Sequence, residues 1–135
     1  QVSTIKHAHH SFDIDHEGTD SFRHRKAGAK EVLLASRKRW ALIHELIDEP
    51  EKDFDFLVNR IAPTDLILVE GFKAEVHNKI EVIREENKKT PIHMSDKNVL
   101  AIAADYKISD VSLPIFHLDE ISKIANFILK KVGLK

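Results

Sequence analysis

Between Lys6 and Gly28 the chain carries five histidines, three aspartates and two arginines, directly behind a short apolar opening at residues 2–5. Such a stretch builds a site more readily than a core, because ionisable groups are seldom buried without partners. His7 and His9 stand two residues apart, so on an extended segment they project to the same side. Asp13 and Asp15 repeat that spacing with oxygens. One chemistry for such a set is a metal site of imidazole and carboxylate ligands. The other is a solvated loop in which the imidazoles and Lys6 donate hydrogen bonds to phosphate oxygens. A second candidate is Glu70, which ends the unbroken apolar run Leu66-Ile67-Leu68-Val69. A fixed carboxylate there could orient a magnesium-bound water near a transferring phosphate, or it is simply an exposed acid at a strand end. Gly71 behind it allows positive φ or a close backbone approach to a ligand. Arg23, Arg25 and Lys26 read as a phosphate clamp or as the charged face of a short helix, with composition favouring the latter. Arg37, Lys38 and Arg39 could hold an anion in front of Trp40, itself expected to pack beside Leu42.

These residues need elements to position them. The β-branched opening Val2-Ser3-Thr4-Ile5-Lys6-His7 predicts a strand whose upstream connection is missing, since the chain begins with Gln1 rather than methionine. A polar loop follows, and Thr19 is placed to cap a short helix over residues 22–27 that Gly28 ends. Residues 31–36 and 40–46 read as two paired strands, interrupted by the basic triplet. Apolar residues at 54, 57, 58 and 61 predict an amphipathic helix over 53–61, closed by Pro63. Residues 65–71, apolar without alternation, predict a parallel strand buried on both faces at the centre of a sheet. Residues 79–84 predict a more exposed strand, 85–90 a solvated polar loop, and 99–103 another buried strand. A last short strand at 114–118 leads to a terminal helix capped by Asp119, with apolar residues at 121, 124, 125, 128 and 132.

Strands alternating with helices indicate an α/β fold with a largely parallel sheet flanked by helices. Ligands of such sheets bind beyond the carboxyl ends of the strands, which is where residues 7–15, 70–73 and 104–105 would gather. The 135 residues fit one domain, 1–135. With 21 basic against 22 acidic residues the net charge is -1, which argues against broad capture of nucleic acid and leaves any phosphate to be bound locally. The absence of cysteine excludes disulfides and thiolate metal sites and suits a cytoplasmic location. No apolar run approaches the roughly 18 residues of a membrane span.

Taken together, Ile5-Lys6-His7-Ala8-His9-His10, Phe12-Asp13-Ile14-Asp15, the run from Gly18-Thr19-Asp20-Ser21 to Lys26-Ala27-Gly28-Ala29 and Leu68-Val69-Glu70-Gly71-Phe72-Lys73 resemble the MobB family. Members of that family are adapters of molybdopterin-guanine dinucleotide biosynthesis. The resemblance extends to Arg39-Trp40-Ala41-Leu42 and Lys79-Ile80-Glu81-Val82 and is weakest after about residue 90. It implies a P-loop NTPase-like, GTP-binding fold, usually a homodimer, that assists a molybdenum cofactor guanylyltransferase in attaching GMP to molybdopterin. It implies GTP and Mg2+ as ligands and at most a weak GTPase. On that reading Lys6, His7, His9, Asp13, Asp15 and Gly71 bind the nucleotide, Asp13 and Glu70 face the metal, and Glu70 is the catalytic carboxylate. The sequence departs from the family in lacking G-x-x-x-x-G-K-[ST], as though it starts at the family's second strand, without the first strand and P-loop helix. No N-K-x-D element for guanine is present, and Asp96-Lys97-Asn98 is a weak substitute. The rival reading is a metal-binding protein or metal-dependent hydrolase built on His7, His9, His10, Asp13 and Asp15. A third is a pure protein-interaction module.

Overall fold

The computed structural model describes residues 1–8, 12–87 and 89–135. Contacts divide the chain into two compact units, Gln1–Lys73 and Ala74–Lys135. Among the described residues no helix is long and apolar enough to cross a membrane.

In the first unit, β1 (Val2–Lys6) pairs in parallel with β4 (Leu66–Glu70), in a register that sets Lys6 opposite Glu70. Between them in sequence come α1 (Asp20–Lys26), the antiparallel ribbon of β2 (Glu31–Ala35) and β3 (Trp40–His44), and α2 (Phe54–Val58). The helix starts follow from local chemistry. Thr19 caps α1 by accepting from the Phe22 amide at 3.3 Å, and Asp53 caps α2 by accepting from the Phe56 amide at 2.7 Å. The helix expected over 53–61 is shorter than its apolar spacing. After Val58 the bonds tighten to i→i+3, from Arg60 to Leu57 and from Ile61 to Val58, both 3.1 Å, so the apolar face continues through a turn.

Two further expectations are corrected here. Among the described residues β4 pairs with β1 alone, and Leu68 is 40% exposed, so this strand is not buried on both faces. The helices of this unit, seven and five residues long, are too short to blanket a strand. Trp40 does share a ribbon face with Leu42 and Leu33, but that face is exposed and Trp40 is 72% exposed itself, so it is not packed away.

The second unit is a parallel sheet of β5 (Lys79–Ile83), β6 (Val99–Ala104) and β7 (Ile115–His117), followed by α3 (Ile121–Val132). Its core is β6, where Val99, Ala101, Ile102, Ala103 and Ala104 are all buried, as a central parallel strand requires. Strand β5 reverses the expected pattern. Lys79 and Glu81 are buried and Val82 is 64% exposed, because the charged side chains have partners inside. Lys79 Nζ donates to Asp96 at 2.8 Å, and Glu81 accepts from the Ile92 and His93 amides at 2.6 and 3.0 Å and pairs with His93 Nδ1 at 2.6 Å. Helix α3 begins after Glu120 rather than at Asp119. The Glu120 carboxylate accepts from the His117 amide at 3.0 Å, tying β7 to the helix start, and the ring of Phe127 packs on Phe116 at 5.4 Å.

Candidate functional site

Parallel pairing delivers the carboxyl ends of β1 and β4 to the same place, and there the register puts a cation against an acid. Lys6 Nζ donates to Glu70 Oε1 at 3.1 Å, with both side chains about two-thirds or more exposed. One residue on, the His7 amide donates to the Glu70 carbonyl at 2.8 Å, so the two strands remain joined past their last ladder pair. The chain then leaves β4 through two left-handed residues, Gly71 at φ 90° and Phe72 at φ 47°. Glycine takes that conformation freely, and here it must: a Cβ at position 71 would sit 2.7 Å from the His7 Cβ. Phenylalanine does not take it freely, and such a backbone state costs roughly 1–3 kcal/mol. Its ring is stacked on the His7 imidazole at 4.5 Å and tilted against Phe54 at 5.1 Å. The imidazole is held on its far side by Glu51, with Nε2 3.0 Å from Oε1.

Asp13 and Asp15 are gathered by a different partner. Arg25 Nη2 donates to both Asp13 oxygens at 2.8 and 3.0 Å, its Nε reaches Asp15 at 3.4 Å, and its Nη1 donates to Glu45 at 2.9 Å. The other Asp15 oxygen accepts from the Thr19 and Ser21 hydroxyls and the His16 amide, each at 3.0 Å. The electrostatics follow from these bonds. The Asp15 amide and then Arg25 hold the Asp13 carboxyl below the usual range. Burial opposes the charge of Asp15, but the Ser21 and Thr19 hydroxyls, the His16 amide and Arg25 outweigh it and hold that carboxyl low too. Glu45, then Asp13, push Arg25 still higher. Of the two readings of Arg25, the structure supports the helix-face one in a stronger form, with its guanidinium engaged by three carboxylates.

Of the residues singled out from sequence, Lys6, His7, Glu70 and Gly71 therefore converge, while Asp13 and Asp15 close on Arg25. His9 and His10 lie outside the described residues. Among the described residues no group of three or more histidine, aspartate or glutamate side chains is placed to hold a metal. A magnesium ion asks for less, one or two carboxylates with water and phosphate completing its shell. Glu70, exposed beside a lysine at a strand end, fits that demand; Asp13 has both oxygens on Arg25. Sequence reasoning missed Glu51 and Phe54, and it quoted Phe72 without giving it a role. Glu51 had no signal to mark it within the acidic stretch from 48 to 55, whereas an aromatic directly after Glu70-Gly71 was visible.

Comparison with known proteins gives a consistent result. The profile of the MobB family, described as Molybdopterin guanine dinucleotide synthesis protein B, matches residues 1–105. The chain is 39% identical over 129 residues to the molybdopterin-guanine dinucleotide biosynthesis adapter protein of Escherichia coli, covering 93% of this chain and 73% of that protein. It is also 39% identical, over 133 residues, to the Haemophilus influenzae protein of the same name, covering 95% of this chain and 71% of the relative. The crystal structure of Bacillus subtilis MobB superposes with a TM-score of 0.71 at 25% identity, covering 99% of this chain and 80% of that one.

Proposed function

The chain belongs to the MobB family, and from that premise we propose that it binds GTP with Mg2+ while helping a molybdenum cofactor guanylyltransferase attach GMP to molybdopterin. It is an adapter of molybdopterin guanine dinucleotide biosynthesis, built on an α/β, P-loop NTPase-like fold. The observation that carries the nucleotide reading is the Lys6–Glu70 pair at the carboxyl ends of two parallel strands, where ligands of such sheets bind.

In this reading Lys6 would exchange Glu70 for phosphate oxygens, and the freed Glu70 carboxylate would hold magnesium-bound water. Magnesium, when bound, neutralises phosphate charge. Exposure makes the exchange inexpensive, since an ion pair in water contributes little. His7 supports the turn from the side, Gly71 lets the backbone come close, Asp13 and Asp15 shape the loop that lines the phosphate side, and His9 donates to phosphate oxygens. Any hydrolysis by way of Glu70 is slow and secondary to the adapter role. The working form is a cytoplasmic homodimer that meets molybdopterin together with its guanylyltransferase.

The test uses protein expressed from the whole reading frame and compares GTP affinity with and without magnesium. Glu70→Gln is expected to remove about tenfold, or about 1.4 kcal/mol, of the magnesium-dependent affinity. An unchanged magnesium dependence removes Glu70 from the site, and absence of GTP binding by the unaltered protein ends the nucleotide reading.

A further inference from the structure

We propose that Phe72 and Glu51 are positioning residues for the strand-end site, acting through His7 to fix the backbone from which Glu70 presents its carboxylate. This rests on the reading above, in which Lys6 and Glu70 face magnesium and GTP.

Three segments meet at one imidazole: the end of β1 through His7 itself, residues 51–54 at the start of α2, and the turn after β4. The turn is the anomaly. Two consecutive left-handed residues follow Glu70, and the second is an aromatic that takes φ 47° only where its surroundings over-determine it. Those surroundings are identifiable. The Phe72 ring lies on His7 at 4.5 Å with planes 22° apart, and against Phe54 at 5.1 Å with planes 52° apart. A stack of that geometry needs a fixed partner. His7 is fixed twice, by Glu51 at its Nε2 and by the Glu70 carbonyl at its amide. The absent side chain of Gly71 makes room for His7, whose Cβ would stand 2.7 Å from a Cβ built at position 71.

A plain surface ion pair is the simpler account of Glu51 and His7. It leaves the stacked ring, the strained Phe72 and the glycine that the contact demands unexplained, whereas a positioning role uses all three. Backbone strain held two residues from the acid of a site by a stacked ring is how the backbone that carries a carboxylate is kept in place before ligand arrives. Loosening the stack lets the turn relax out of the left-handed region, and Glu70 moves with it.

The experiment titrates GTP into protein from the whole reading frame, in magnesium and in EDTA, and follows the His7 imidazole resonances by NMR. Phe72→Leu keeps apolar bulk and loses the stack, Glu51→Gln alters an exposed side chain and leaves folding intact, and Phe72→Tyr restores the ring. The first two are expected to shift the His7 resonances and to weaken binding about tenfold in magnesium, the size seen when outer partners of a metal site are lost, and not in EDTA. Phe72→Tyr is expected to match the unaltered protein in both readouts. Unchanged magnesium-dependent affinity in Phe72→Leu and Glu51→Gln overturns the positioning role alone, as does an equal loss in EDTA. If the unaltered protein binds no GTP, the nucleotide reading falls and takes this proposal with it.

Discussion

Lys6–Glu70 and Arg25–Asp15 are ion pairs of the same residue classes within one compact unit, and they have opposite characters. The first joins two exposed side chains by a single bond of 3.1 Å. The second belongs to a closed set in which the Asp15 side chain is only 8% exposed and Arg25 answers three carboxylates. Water already solvates Lys6 and Glu70, so parting them costs little and both can turn to a ligand. Asp15 has exchanged water for two hydroxyls, an amide and a guanidinium, so removing any one partner leaves a charge that water reaches poorly. The difference lies in what surrounds each pair, and it separates groups available for binding from groups that hold a loop in shape.

Substitutions can break this contrast or sharpen it. The largest expected effect is from Gly71→Ala, which adds backbone strain to a clash with His7 and should cost at least about 2 kcal/mol in urea unfolding. Next is Arg25→Met, which strands Asp13, Asp15 and Glu45 and should lower the thermal midpoint by roughly 5 °C. Thr19→Ala removes both the α1 cap and a hydroxyl on Asp15 and should cost about 1 kcal/mol by denaturant titration. The smallest is Lys6→Met, which should leave the melting curve unchanged; a drop matching that of Arg25→Met would erase the distinction between the two pairs.

Acid provides a separate check on the closed set. Asp13 and Asp15 are held below the usual carboxylate range, and Lys30, then Lys52, bring Glu49 down to about 2. A carboxylate with a lowered folded pKa adds stability that is fully present above its unfolded value and lost as pH falls through its folded value. For Glu49 that window runs from the ordinary 4.5 down to about 2. Thermal midpoints measured through this window should therefore fall with pH, and Arg25→Met should flatten the part that Asp13 and Asp15 contribute. An unaltered acid slope in that variant would show that Arg25 does not hold their carboxyls down.

Much of this was legible where the determining forces are local. Thr19 announced the start of α1, alternating and continuous apolar runs marked the strands, and the acid after the apolar run at 66–69 marked the end of β4. What sequence could not supply were partners far along the chain. Glu51 meets His7 from 44 residues away, and Glu45 meets Arg25 from 20. The alternation around Ile80 and Val82 pointed to an ordinary exposed strand, yet Glu81 went inside because the amides of residues 92 and 93 were waiting for a carboxylate.

Sequence by itself therefore determined the family, the order of strands and helices and the acid-glycine step at the end of β4, since caps, periods and motifs are properties of neighbouring residues. Only the tertiary structure decided which ionisable groups stay open to a ligand and which are consumed in holding a loop. That choice depends on desolvation and on donors brought from distant segments, and neither is written in the spacing of the residues themselves.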